Sequence, residues 1–176
     1  MIELGKSYRH PRTGRELRVL QNDPDVYEIE VTLPAGILAS RGHVHLDFEQ
    51  TFTVVEGQAD AAVNGEVRRL TAGEEIHVPR GAKHVDIWNS GSETLVARNR
   101  LWPNPPFIRA YARTVIACLV DGRIGDNGDL PRLHVAVIQS ETAGQSFAAG
   151  TPIVLQRALR PLLAALGRHR GYKIER

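Results

Sequence analysis

Cysteine is nearly absent from this chain: there is one, Cys118. No internal disulfide can form, so a packed core must hold the fold. Long apolar runs are missing too. The stretch "VIACLV" at 115–120 falls far short of the ~20 residues that a bilayer-spanning helix needs. The opening "MIELGKSYRHPRTG" holds no apolar segment of signal-peptide type. A soluble, cytoplasmic protein that engages no membrane is expected. Nor does one sign of charge dominate. Lys and Arg number 22 against 20 Asp and Glu, a net +2, which leaves no strong field to gather nucleic acid. No internal repeat, low-complexity segment or helix-turn-helix pattern stands out. Function must therefore be read from a site.

What is present is enough chain, 176 residues, for one domain with a real core. Residues 17 to 102 read as short strands separated by Gly, Pro and Asn. "VYEIEVTL" (26–33) sets Tyr27, Ile29, Val31 and Leu33 on one face. "QADAAV" and "EVRRL" flank Asn64-Gly65, a pair suited to the positive φ of a type I′ hairpin turn. "PRGAKH" (79–84) is a further turn, and "ETLVARNRLW" (93–102) a strand with no clear apolar face. Such spacing predicts a closed or sandwiched β fold.

The prolines of "WPNPPF" (102–107) end the strand run. Beyond them Ile108, Tyr111, Val115 and Leu119 recur at helical spacing. "RLHVAVIQS" fits either a short helix or a strand. "TPIVLQRALRPLLAALG" predicts a helix with Thr151 as N-cap and Pro152 in the first turn. Leu155, Leu159, Leu162 and Leu166 form its apolar stripe, and Pro161 should kink or split it. The basic tail "RHRGYKIER" reads as a solvated, partly mobile end. His10, His77, His134 and His169 have no partner at ligand spacing and are expected at the surface.

Chemistry concentrates around His43 and His45. Residues two apart on a strand point the same way, so the two imidazoles can meet one ion. His84, just past a turn, is the natural third donor. Imidazole suits zinc, copper, iron, nickel and manganese alike and does not choose among them. The rival reading is polar lining with no ion.

Two longer stretches carry a family resemblance. "GILASRGHVHLDFEQTFTVVEG" (36–57) resembles the first cupin motif, G-x5-H-x-H-x3or4-E-x6-G. "GEEIHVPRGAKHVDIWN" (73–89) resembles the second, G-x5-P-x-G-x2-H-x3-N. Gly73, Pro79, Gly81 and His84 match in spacing; Asn89 falls one residue late, and Gly36 one residue too far from His43. The resemblance is to small bacterial single-domain cupins. It implies a mainly β, double-stranded β-helix (jelly-roll) barrel over residues 1–106. A helical C-terminal extension, 107–176, would pack on the barrel within the same domain.

The resemblance also implies a divalent transition metal (Fe, Mn, Ni or Zn) held by His43, His45, His84 and a first-motif glutamate. Here the chain departs from the pattern: one spacing lands on Glu49 and the other on Gln50. Strand alternation favours Gln50, which shares a face with Phe52 and Val54; a bulge would turn Glu49 inward instead. Four neutral ligands would leave a divalent ion its full charge and favour an anionic ligand on it. A Gln50 that only hydrogen-bonds in the pocket is the competing reading. Asp86 and Trp88 follow His84 at two-residue spacing and are expected inside. Asp86 would be a general base or substrate orienter, or else a structural acid paired with an arginine. Arg98 and Arg100 suit an anionic substrate if either faces inward.

The functional expectation is a metal-dependent enzyme on a small, anionic organic molecule. Dioxygenase-type chemistry comes first, then isomerase, lyase or hydrolase action at the same ion. A non-catalytic small-molecule-binding or sensing cupin is the alternative. A homodimer that covers open sheet edges is also expected.

Overall fold

Alternation between apolar and polar residues is what closes this chain on itself. The computed structural model describes residues 2–37 and 39–175, which form eleven strands and three helices. The strands are β1 (Ser7–Arg9), β2 (Glu16–Asn22), β3 (Tyr27–Leu33), β4 (His43–His45), β5 (Glu49–Glu56), β6 (Gln58–Val63), β7 (Glu66–Thr71), β8 (Glu75–Val78), β9 (Lys83–Asn89), β10 (Leu95–Trp102) and β11 (Ser146–Ala148). The helices are α1 (Pro106–Val120), α2 (Arg132–Thr142) and α3 (Ile153–His169). A six-stranded antiparallel sheet runs β1-β2-β3-β10-β5-β8, and a five-stranded one runs β11-β4-β9-β6-β7. Two antiparallel sheets with their apolar faces turned together make the jelly roll.

One part of the core lies between the sheets and includes Leu33, Phe52, Val54, Leu70, Ile76, Ile87 and Leu95. Full burial of a side chain such as Phe52 or Leu33 stabilises by roughly 1.5–3 kcal/mol relative to exposure. The other part joins Leu17, Val19, Tyr27, Phe48 and Leu101 of the sheet region to Phe107, Ile108, Ile116 and Leu119 of α1 and Ile138 of α2. The β6–β7 hairpin turns on Asn64 and Gly65, with φ of 52° and 89°, as a type I′ turn requires.

The helical extension enters the sheet itself. β11 pairs with β4, setting Ser146 opposite His45 and Ala148 opposite His43. The edge of the strand that carries two histidines is thus covered by the chain's own C-terminal region.

Several expectations are corrected here. The ambiguous "RLHVAVIQS" is helical, with His134, Ala136, Val137 and Ile138 buried. Helix α3 is capped at Pro152, not Thr151, with no side-chain cap. It also continues through Pro161 without splitting. The tail is docked through residue 175: Tyr172 stacks on His134, Ile174 joins the core, and the Glu175 N–H donates to Thr114 Oγ1. His77 and His169 are exposed, but His10 and His134 are buried. His10 Nδ1 accepts the backbone N–H groups of Arg12 and Thr13, and His134 Nε2 bonds Lys173 O at 2.8 Å. Both are long-range or turn-local structural roles that ligand spacing does not register.

Trp88 is the instructive miss. β6 pairs with β9 through a register shift between Asp60 and Ala62: Val63 faces His84, while Ala59 faces Asn89 and Asp60 faces Trp88. Two residues, Asp86 and Ile87, therefore oppose one, which is a β-bulge. Past it the inward parity changes, so Ile87 and Asn89 are buried and Trp88 lies on the outer face with Asp60. The bulge also absorbs the extra residue that sets Asn89 one position late in the second motif. Asn89 is locked there, its Nδ2 donating to Leu33 O and Glu93 O and its Oδ1 accepting Gly91 N–H.

Candidate metal centre

His43 and His84 are direct cross-strand partners on β4 and β9, and His45 lies one alternation further along β4. Their ring centroids stand 4.7 Å (His43–His45), 4.2 Å (His43–His84) and 5.0 Å (His45–His84) apart. One nitrogen from each ring falls within 4.8 Å of the others. Two of the rings are oriented by the backbone. Nδ1 of His43 lies 2.8 Å from Arg41 O, and Nδ1 of His84 lies 3.1 Å from Ala82 O. A carbonyl can only accept, so Nδ1 carries the proton and Nε2 presents its lone pair. Among the described residues, neither His84 Nε2 nor His45 Nδ1, both buried, has a hydrogen-bond partner.

Burial keeps His45 and His84 neutral. That of His45 holds its pKa well below the ordinary value, helped by His43 and His84. Burial, then the neighbouring His43, lowers that of His84 to about 4, against the opposing pull of Asp86. Neutral imidazole is the form that binds a metal.

Gln50 is buried on β5. Its Nε2 donates to Asn99 Oδ1 at 2.9 Å and to Asp86 Oδ1 at 3.4 Å, while its buried Oε1 has no partner among the described residues. A buried amide oxygen left without a partner is unusual for a settled core. Glu49 goes the other way, to His77 (3.3 Å) and Arg80 (3.7 Å). Asp86 Oδ1 lies 3.6 Å from His43 Nε2 and 3.7 Å from His84 Nε2. Arg98 and Arg100 face outward, toward Glu30 and Glu28 of the adjacent strand. Asp86 has no arginine partner among the described ion pairs.

Beside the centre lies a cavity of about 150 Å³. Leu17, Ile29, Val31, Leu33, Phe52 and Ile87 supply apolar wall; Asp86, Asn99, Arg15 and Tyr111 supply polar groups. Sequence reading missed Asn99, Arg15 and Tyr111. Asn99 was findable, because Leu95, Ala97 and Leu101 are the buried residues of β10 and Asn99 shares their parity. Arg15 and Tyr111 carry no local signal; only tertiary packing brings them to the barrel.

Comparison with known proteins follows the same lines. A family model described as Cupin domain matches residues 29–102. No curated protein sequence matches. Among solved structures, KdgF from Halomonas sp. is 20% identical, with a TM-score of 0.49 over 56% of this chain and 86% of its own. A double-stranded β-helix protein from Klebsiella pneumoniae is 28% identical, with a TM-score of 0.47 over 55% of this chain and 84% of its own. A predicted oxalate decarboxylase from Thermotoga maritima is 19% identical, with a TM-score of 0.47 over 51% and 80%. No helix among the described residues is long and apolar enough to cross a membrane. Three imidazoles so arranged are compatible with a divalent metal ion, and the stretch that gathers them, residues 29–102, is the part of the chain that the cupin-domain model matches.

Proposed function

We propose that the protein is a metal-dependent enzyme that acts on a small anionic organic molecule inside the barrel. The observation that carries this reading is the gathering of one nitrogen from each of three imidazoles within 4.8 Å, with Gln50 bonded to the Asp86 that lies beside two of them. The ion would be held by His43, His45, His84 and Gln50, with Fe, Mn, Ni and Zn all suited to the donor set. When bound, it would supply positive charge for an anionic substrate and, if iron, electrons for oxygen chemistry. All four proposed ligands are neutral, so the negative charge that the protein sets beside the ion would come from Asp86.

The chain's own residues complete the site. Asp86, beside His43 and His84 and on the cavity wall, accepts a proton from a substrate hydroxyl or enol. Gln50 Nε2 orients Asp86 and Asn99. The apolar wall excludes water and holds the organic body. Dioxygenase-type chemistry is the favoured reaction, since neutral ligands and an adjacent base suit a bound enolate or phenolate. The test is metal analysis of purified protein, then oxygen uptake with enolic and catecholic acids. Stoichiometric iron with oxygen uptake supports the reading. Zinc or nickel with no turnover supports a binding protein instead.

A further inference from the structure

Arg15 comes from the turn before β2, well outside both motif stretches, yet it lines the same cavity as Asp86 and Asn99. Its Nε is buried and has no hydrogen-bond partner among the described residues. The acids that share the cavity with it are engaged elsewhere. Asp129 accepts Arg41 Nε at 2.8 Å and Asn127 Nδ2 at 2.6 Å; Asp86 faces Gln50 and the histidines. Burial disfavours the charge on Arg15, and Asp86 and Asp129 favour it from a distance. Guanidinium nevertheless stays charged under all ordinary conditions. A largely buried cation with no ion-pair partner among the described residues is costly.

The surrounding backbone is shaped to admit it. A Cβ placed on Gly128 would fall 1.3 Å from Arg15 Nη1, so the guanidinium occupies the space where any other residue would put its side chain. The opposite walls are apolar, from Leu17, Val31 and Phe52 to Val115 of α1. A cavity of about 150 Å³ is the size that accommodates benzene in an apolar protein interior.

We propose that Arg15 is the substrate's carboxylate anchor, so that the site takes a compact monocarboxylate. Its apolar body is about the size of one six-membered ring, and a second oxygen function reaches past Asn99 and Asp86 toward the histidines. The planar fork of Arg15 matches a carboxylate in a way a lysine would not. This rests on the barrel interior being the substrate site. It does not depend on the ion being bound, because Arg15 lies on the cavity wall and not among the histidines.

The probe pair is benzoate and its neutral isostere benzamide, titrated by calorimetry into wild type, Arg15→Lys and Arg15→Met. Each protein is used both metal-free and zinc-loaded. Wild type should bind benzoate at least about tenfold more tightly than benzamide in both forms, as a charge-assisted fork predicts. Arg15→Met should erase that preference, lowering benzoate affinity while leaving benzamide within about threefold, and Arg15→Lys should fall between. The wild-type preference is measured without any variant, so a failure of Arg15→Met to fold leaves the comparison standing. Equal binding of the two probes by wild type overturns the proposal, as does no benzoate binding at all. Benzoate binding that needs zinc and survives Arg15→Met also overturns it, while leaving the metal reading intact. Arg15-dependent benzoate binding in a wild type that takes up no metal supports the anchor and sinks the metal reading instead.

Discussion

Gln50 and its neighbour Glu49 are where a single residue decides the chemistry. Their opposite directions were legible because period-2 alternation holds from Gln50 through Val54, with no bulge between them. β5 shifts register only past Val54, whereas β9 bulges within the site, and there the same rule failed for Trp88. Gln50→Glu should tighten metal by ten- to hundredfold, roughly 1.4–3 kcal/mol, because it adds negative charge at the ion. It also sets a second carboxylate where the Gln50 amide now donates to Asp86. The metal-free variant should therefore be less stable than wild type, and metal should raise its melting temperature by more. Glu49→Gln should change neither quantity, since Glu49 meets only partly exposed His77 and Arg80 and such pairs contribute little. Competition titration against a chelator, paired with melting curves, checks all of this. Loss of metal from Glu49→Gln with no change in Gln50→Glu would end the neutral-site reading. The histidines make a simpler case. His43→Ala, His45→Ala and His84→Ala should each lose stoichiometric metal while circular dichroism stays that of a folded barrel, since the core around Leu33, Phe52 and Leu70 is separate. Full metal content in a His43→Ala/His84→Ala double variant would displace the site.

Among the elements, β9 does two jobs that its sequence shows only in part. It presents His84 to the centre, and it then shifts parity to bury Ile87 and Asn89. The second motif marked His84 and Asn89, but the extra position between them has no local signature. Bulges arise from how a strand must bend against its partners, which a single strand's pattern does not encode. The same limit applies to β11, which reads as nothing in isolation and becomes a strand because β4 offers it an edge. Helix α1 and the β6–β7 hairpin, whose signals are local, were legible. Asn89 is the pin of the β9 bulge. Asn89→Ala removes three hydrogen bonds and leaves Leu33 O, a buried strand carbonyl, without its partner. The expected loss is about 2–3 kcal/mol by urea unfolding, since an unsatisfied buried group adds its desolvation penalty to the lost bonds. A loss under about 0.5 kcal/mol would mean that the bulge is held by something other than this side chain.

At the scale of the whole molecule, α3 is the element whose burial is inverted. Its small residues face inward: Ala164 and Gly167 are buried, and a Cβ on Gly167 would come within 2.6 Å of Leu133 O on α2. Its large ones face out, with Leu155, Leu159, Leu162, Leu163 and Leu166 each 38–67% exposed. The leucine stripe was legible in the sequence; that the chain's own barrel would not cover it was not, because Gly167 lets α2 approach the opposite face. The sheet-edge route to a dimer is also narrower than expected, since β11 already covers β4. Five neighbouring leucines make a patch on the order of the few hundred Å² that marks an interface. The helix's arginines turn back onto the chain, Arg157 and Arg160 over Phe147 and Arg168 toward Glu141. The exposed leucine ridge is thus left without the charges that would select an acidic or basic partner. We propose that a second copy covers it. An isologous pairing of α3 with α3 buries the ridge twice, and only apolar shape has to be self-complementary. Light scattering at tens of micromolar should give the mass of two chains for wild type. Leu159→Glu with Leu162→Glu should give one chain and leave the melting curve nearly unchanged, because both side chains are already in solvent within the monomer. A monomeric wild type, or a double variant that remains paired, would remove α3 as the interface.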